Sequence, residues 1–151
     1  MTERTKRMLE ELDPMAQPIF RKFIEALDSV HGDDRYYVFE GRRSTQVQEA
    51  YYAQGRKPLN EVNELRKLAG LYLLRSERDN YTITWTLKSK HLEGLAMDIV
   101  PMKADGNPTW DMAHYSDAFV IITFTARNLG LECGADWPGT QKDWPHFQIK
   151  D

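Results

Sequence analysis

Residues 89–101 read SKHLEGLAMDIVP, and this stretch decides the fold. Its second half, residues 95–100, is rich in apolar and β-branched side chains and is ended by a proline, which is typical of a strand. Gly94 precedes the strand and permits a sharp bend. Because strand residues alternate between two faces, Asp98 shares one face with the small Ala96, and Leu95, Met97 and Ile99 share the other. The strand therefore carries a carboxylate beside a small residue, which leaves room for a metal ion.

A second short motif lies near the C-terminus, where residues 143–146 read DWPH. It places Asp143 three residues before His146, and the intervening proline biases Trp144 towards extended backbone. Apolar and polar residues alternate from Phe147 onward, which predicts a last short strand that His146 enters. We expect Trp144 and the proline to shield Asp143 partly from water, which would raise its pKa.

Together the two motifs supply a set of metal-binding side chains: His91, Asp98 and His146. Two histidines and one carboxylate are a frequent set of protein ligands for catalytic zinc, which keeps its fourth position for water. The residues alone leave a second interpretation open, in which the histidines are surface or core residues and the aspartate belongs to a turn. Other catalytic signatures, such as a C-x-x-C pair, a glycine-rich phosphate loop or a G-x-S-x-G elbow, are missing from the sequence.

Composition restricts the class of protein. The chain has 151 residues, 41% of them hydrophobic and 28% charged, so we predict a single globular domain over residues 1–151. A formal net charge of −3 gives no basic field for phosphates, and we expect no nucleic-acid partner. The single cysteine, Cys133, excludes an internal disulfide. The N-terminus lacks the apolar stretch of a secretory signal, and no apolar run is long enough to cross a bilayer, so we expect cytoplasmic synthesis without membrane insertion.

Signals for helices and strands are interspersed along the rest of the chain. Strands are predicted at residues 36–40, 81–86, 95–100 and 146–150. Helices are predicted to begin at Asp13-Pro14, Thr45, Asn60 and Asp111. The first of these should end at Gly32, and the third should have Val62, Leu65, Leu68 and Tyr72 on its inner side. Segregated helices and short strands indicate the α+β class.

The two motifs together resemble those of zinc peptidases related to D-alanyl-D-alanine carboxypeptidases. Residues 89–98 fit the pattern S-x-H-x-x-G-x-A-x-D, and residues 143–146 fit the paired acid-x-x-H pattern. Residues 129–148 and 41–56 look like the L-alanyl-D-glutamate endopeptidase branch found among phage endolysins. The resemblance implies the hedgehog/DD-peptidase-like fold, in which an antiparallel sheet carries the zinc site and helices pack on the sheet.

The resemblance also implies roles for single residues. The zinc ligands would be His91, Asp98 and His146. Asp143 would be the acid and base of catalysis, and Arg43, rather than the adjacent Arg42, would stabilise the charge that develops on the scissile carbonyl oxygen. Substrate contacts are predicted for Ser89, Gln48 and Trp137. Holding the His91 loop is the alternative for Ser89, and a place in the core is the alternative for Trp137.

These expectations describe a zinc metallopeptidase that acts as a monomeric endolysin on bacterial peptidoglycan. It would cut the L-Ala to D-Glu bond of stem peptides, without a separate cell-wall-binding domain and after release from the cytoplasm by other means. A D-Ala-D-Ala carboxypeptidase or dipeptidase is the alternative enzyme. The alternative outside enzymology is a zinc-stabilised binding or virion protein. Because a structural zinc needs neither Asp143 nor Arg43, the presence of both favours an enzyme.

Overall fold

The computed structural model describes residues 1–31 and 35–151. The chain forms two compact units: the sheet unit, made of Met1–Arg42 and Glu93–Asp151, and the insert unit, made of Arg43–Leu92. The α-helices of the described residues are α1 (Glu3–Glu10), α2 (Gln17–His31), α3 (Thr45–Ala53), α4 (Leu59–Leu68) and α5 (Met112–Asn128). The strands are β1 (Tyr36–Glu40), β2 (Ala96–Pro101), β3 (Glu132–Cys133) and β4 (His146–Gln148). Short 3-10 helices cover Glu77–Asp79, Gly134–Asp136 and Gly139–Gln141.

The sheet unit contains one antiparallel sheet with the strand order β1-β2-β4-β3. Asp98 on β2 lies opposite His146 on β4, and Glu132 on β3 lies opposite Gln148 on β4. Residues directly opposite each other share a face of the sheet, and so do residues two apart on one strand. All four side chains therefore lie on the same face of the sheet.

The other face of the sheet is buried. Met97, Ile99 and Phe147 have no exposed surface and share one core with side chains of α1 and α2. The ring of Phe147 meets that of Phe23 edge to face, with 5.1 Å between centroids. Burying one such side chain stabilises the fold by roughly 1.5–3 kcal/mol, and a slip by one residue would exchange Phe147 for His146. The apolar face thus fixes which side chains the polar face presents.

The insert unit contains the helix pair α3 and α4, which pack against each other. Their small core consists of Ala53, Val62 and Leu74, with Leu59 and Leu65 partly buried beside it. The hydroxyl of Ser44 accepts a 3.2 Å hydrogen bond from the amide of Val47, so the side chain that caps α3 comes one residue before the predicted Thr45.

Several predicted elements are confirmed. Strands β1, β2 and β4 lie where the patterns place them to within one or two residues. Helix α5 begins directly after Asp111, whose side chain accepts from the amide of His114 at 3.2 Å. Among the residues that the structure describes, no helix has the length and apolar character needed to span a membrane.

The predicted start of the first helix is wrong. Pro14 lies in a turn, α2 begins at Gln17, and the amides of Ala16 and Gln17 both donate to the carbonyl of Asp13. The predicted end of this helix at Gly32 lies outside the described residues. Helix α1 and strand β3 were not predicted.

The strand predicted at residues 81–86 is also wrong, because this segment joins no ladder of the sheet. Its alternating apolar side chains Tyr81, Ile83 and Trp85 are exposed. Of the four side chains predicted on the inner side of the third helix, Val62 is buried and Leu65 partly buried. The prediction is wrong for Leu68, the last residue of α4, and for Tyr72 beyond it, which are 78% and 77% exposed.

Arg66 is buried in the insert unit, at 3% exposure. Its guanidinium donates to the carbonyl of Tyr72 at 2.8 Å and to Oε1 of Gln54 at 2.9 Å, and it stacks on the ring of Tyr72. These acceptors satisfy a cation that hydropathy alone would place in solvent.

Candidate active site

The first element of the candidate site is a pair of side chains across β2 and β4. Oδ1 of Asp98 lies 3.2 Å from Nδ1 of His146, and the two side chains are 16% and 8% exposed. Nε2 of His146 lies 2.8 Å from Oε1 of Gln148. Both nitrogens of the imidazole therefore have a partner on the polar face of the sheet.

The surroundings of His146 change its pKa. Burial lowers this pKa, but the hydrogen bond to Asp98 and the negative charge of Asp98 outweigh burial, with help from Gln148 and from the charge of Asp143. The net result is a pKa above the ordinary value for histidine. Asp143 is thus close enough for its charge to act on His146.

His91 lies in the turn that precedes β2 and is 1% exposed. Its amide donates to the hydroxyl of Ser89 at 3.2 Å, and its carbonyl accepts from the amide of Arg43 at 2.9 Å. These bonds hold the backbone of the His91 turn. The structure therefore supports the loop-holding alternative for Ser89, while a contact with substrate stays a prediction.

The motif glycine Gly94 has two reasons to be glycine. Its φ is +72°, a region that side chains disfavour, and a Cβ there would lie 2.7 Å from the amide nitrogen of Asp13. Its carbonyl accepts from that amide at 3.0 Å. This hydrogen bond therefore holds the bend before β2 against the residues that precede α2.

One ligand atom from each of His91, Asp98 and His146 lies within 4.8 Å of the other two. Ligands that share a tetrahedral zinc ion at about 2.0–2.1 Å are separated from each other by roughly 3.3 Å. The 3.2 Å between Asp98 and His146 matches that separation. The donor atoms are the nitrogen and oxygen types that zinc accepts, so these residues fit a metal ion.

Contacts within the insert unit orient Arg43. Its Nη1 donates to Oε1 of Gln48 at 2.7 Å, its guanidinium lies 4.9 Å from the ring centroid of Tyr51, and its amide bonds to His91. Arg42, by contrast, is exposed. The arginine predicted for catalysis is thus the one whose side chain is held.

Gln48 is 1% exposed and bridges two groups. Its Oε1 accepts from Arg43, and its Nε2 donates to the carbonyl of Thr86 at 2.6 Å. The structure thus shows Gln48 supporting Arg43, and the predicted contact of Gln48 with substrate stays a prediction.

Asp143 lies in the loop before β4 and is exposed, so the shielding expected from Trp144 and Pro145 is wrong. Its amide donates to the carbonyl of Gly134 at 2.9 Å, and its own carbonyl accepts from the amide of His146 at 3.2 Å. A Cβ at Gly134 would lie 2.2 Å from that carbonyl oxygen. Close backbone approach therefore anchors the loop that carries Asp143.

Trp137 is partly buried and touches the site. Its ring lies 4.9 Å from that of His146, measured between centroids, and its indole donates to Oε2 of Glu132 at 3.1 Å. Sequence reasoning missed Glu132 and Gln148. The period of two along the last strand could have pointed to Gln148, whereas no sequence signal links Glu132 to His146.

Comparisons with known proteins also indicate a peptidase. The family model described as D-alanyl-D-alanine carboxypeptidase matches residues 82–149, a little under half of the chain. The crystal structure of the Serratia marcescens L-Ala D-Glu endopeptidase ChiX is similar, with 26% sequence identity and a TM-score of 0.56, over 99% of this chain and 89% of that one. No curated protein sequence matches the chain significantly.

A second solved structure is more distant. It is the vancomycin resistance D,D-pentapeptidase VanY from a VanB-type cassette, a point mutant in complex with Zn(II), with 15% identity and a TM-score of 0.49 over 91% of this chain and 72% of that one. The family match and the likeness to ChiX confirm the resemblance inferred from the two motifs. They also confirm the α+β, hedgehog/DD-peptidase-like fold.

Proposed function

We propose that the protein is a zinc-dependent peptidoglycan hydrolase that cleaves the L-alanyl-D-glutamate bond of stem peptides. The observation that carries this proposal is the approach of ligand atoms from His91, Asp98 and His146 to within 4.8 Å. The likeness to an L-Ala D-Glu endopeptidase along 99% of the chain supports the choice of bond. The resemblance of residues 129–148 to the phage endolysin branch supports action on the bacterial cell wall as an endolysin.

His91, Asp98 and His146 would hold the zinc ion. When bound, zinc lowers the pKa of water towards about 7 and polarises a peptide carbonyl. Both histidines are almost fully buried, so their rings cannot swing into solvent. Two neutral imidazoles and one carboxylate leave a bound divalent ion with net positive charge, which suits attack on a carbonyl.

Asp143 moves the proton in the proposed reaction. A carboxylate oxygen of Asp143 accepts the proton of the attacking water and later donates it to the nitrogen of the leaving amine. The loop holds Asp143 through the carbonyl of Gly134 and the amide of His146, and the residue is exposed, so substrate can reach it. A structural metal site would not need this residue.

Arg43 stabilises negative charge on the carbonyl oxygen of the scissile bond. A guanidinium that is oriented before substrate arrives stabilises the transition state without reorganising during the reaction. Gln48 and the ring of Tyr51 supply that orientation.

We expect Arg43→Ala to lower turnover by about 100-fold or more, since removing one oriented donor to a developing oxyanion has this effect. Arg42→Ala is the matched control and should stay close to wild type, because Arg42 is exposed. Steady-state kinetics on a defined muropeptide measures both. Reversed phenotypes would show that Arg42, and not Arg43, serves the reaction.

A second enzyme function has one observation in its favour. The family model that matches residues 82–149 is described as D-alanyl-D-alanine carboxypeptidase. A carboxypeptidase must recognise a free terminal carboxylate, whereas an endopeptidase binds peptide on both sides of the bond. The two functions therefore release different products from one substrate.

Digestion of purified peptidoglycan separates these functions. We expect new L-alanine carboxyl termini and new D-glutamate amino termini, without release of free D-alanine. Mass spectrometry of the muropeptides and amino-terminal labelling detect these products, and the His91→Ala variant provides the inactive control. Free D-alanine with intact L-Ala to D-Glu bonds would establish the carboxypeptidase instead.

A further inference from the structure

Gln148 lies between the metal-ligand candidate His146 and a carboxylate on the neighbouring strand. Its Oε1 lies 2.8 Å from Nε2 of His146, and its Nε2 donates to Oε2 of Glu132 at 2.7 Å. Only the amide nitrogen of a glutamine can donate to a carboxylate, so the glutamine oxygen must face the imidazole. The proton of that hydrogen bond therefore belongs to Nε2 of His146.

The sheet holds this arrangement in register. Glu132 lies opposite Gln148, and Asp98 lies opposite His146, on one face of three adjacent strands. Glu132 also accepts from the indole of Trp137 at 3.1 Å, and the Trp137 ring packs on His146. The four side chains His146, Gln148, Glu132 and Trp137 thus form a closed ring of contacts, which keeps the Gln148 amide from turning over.

The arrangement matters because Asp98 and Gln148 favour opposite tautomers of His146. Oδ1 of Asp98 lies 3.2 Å from Nδ1, where a carboxylate favours a proton on that nitrogen. A proton on Nδ1 would join the two ligands to each other and remove the lone pair that a metal needs. Gln148 counteracts this by accepting a proton from Nε2 instead.

We propose that Gln148 and Glu132 are positioning residues that hold His146 as the Nε2-H tautomer and leave Nδ1 available to the metal. This inference rests on the proposed function, because it takes His146 as a metal ligand. Neither residue touches the metal or the substrate in this role. Glu132 orients the amide of Gln148, and Gln148 orients the imidazole.

The test compares zinc affinity and imidazole tautomer in a small set of variants. Gln148→Met keeps the length of the side chain and removes both hydrogen bonds. We expect it to bind zinc about 10-fold to 100-fold more weakly, the usual effect of losing such a partner. In the zinc-free protein, at a pH where the ring is neutral, ¹⁵N NMR should show the proton of His146 moved from Nε2 to Nδ1.

Conservative exchange provides the rescue. Gln148→Glu alone places two carboxylates opposite each other and should weaken zinc binding, whereas Gln148→Glu combined with Glu132→Gln reverses the polarity of the pair and should restore most of the affinity. Gln141→Met, at an exposed glutamine, is the matched control and should leave zinc affinity unchanged. Thermal unfolding of the zinc-free variants shows whether a variant binds zinc weakly because it is unfolded or because the tautomer of His146 has changed.

Two results would overturn this inference. One is a folded Gln148→Met variant with wild-type zinc affinity and an unchanged tautomer. The other is zinc bound to Nε2 of His146 in the wild type. A wild-type protein that binds no zinc would overturn the proposed function itself. The tautomer measured in the zinc-free protein still tests the effect of Gln148 on His146.

Discussion

Replacing any one of His91, Asp98 and His146 by alanine is expected to abolish stoichiometric zinc binding and to reduce peptidoglycan cleavage to background. Each substitution leaves two protein ligands, and catalytic zinc sites typically have three. The two histidines are buried and Asp98 is largely buried, so we do not expect other side chains to replace a missing ligand. Elemental analysis of the purified variants measures the zinc, and muropeptide digestion measures the activity.

The protein contains its own control for these variants. His114 lies 2.7 Å from Asp111 in a second histidine–aspartate pair, but this pair is exposed at the start of α5. We expect His114→Ala to keep full zinc occupancy and activity. Full zinc occupancy in a folded His91, Asp98 or His146 variant would remove that residue from the ligand set.

Replacing Asp143 by asparagine is expected to lower turnover by about 10²-fold to 10⁴-fold, the usual contribution of a positioned acid or base. The amide cannot accept the proton of the attacking water. The loop should keep its position, because the main-chain amide and carbonyl of Asp143 anchor it. Zinc content and thermal unfolding should therefore stay close to wild type while turnover falls.

Asp136→Asn is the matched control for Asp143. Asp136 is also exposed, and its carboxylate forms a bidentate pair with Arg127 on the surface. Exposed pairs of this kind contribute little, typically about 0–1 kcal/mol, so we expect wild-type turnover. Near-normal turnover in Asp143→Asn would rule out Asp143 as the base.

The parts of the fold that sequence predicted are those with strong local signals. Helix α5 has an aspartate cap, and β2 has an apolar run ended by proline. The candidate metal ligands could be proposed because the two motifs are specific in residue type and in spacing. The alternation of side chains along β2 then placed Asp98 on the face opposite to Met97 and Ile99. The structure confirms this, because Met97 and Ile99 belong to the buried core and Asp98 does not.

The parts that sequence could not predict depend on contacts between distant residues. The alternation at residues 81–86 is typical of a strand, but a strand also needs a neighbour, and this segment has none in the sheet. Strand β3 has two residues and is too short to show a period. Arg66 is buried because Gln54 and Tyr72 supply acceptors and an aromatic face, which no helical pattern reveals.

Within the candidate site, too, the sequence indicated residue types but not the contacts between residues distant in the chain. Residue types indicated His146 and Arg43, but the bonds that orient them involve Gln148 and Gln48, and glutamine has no distinctive sequence signature. The exposure of Asp143 was mispredicted because Trp144 and Pro145 are adjacent in sequence yet leave the residue exposed. Trp144 packs on Phe119 of α5 instead.

The contact between Gly134 and Asp143 bears on how this enzyme can be engineered. No side chain fits at position 134, because a Cβ would overlap the Asp143 carbonyl, whereas a Cβ at Gly139 meets nothing within 4 Å. Gly139–Gln141 form an exposed tip of the same loop. A library of loop variants can therefore diversify Thr140 and Gln141, retain Gly139 for its positive φ, and exclude Gly134 altogether.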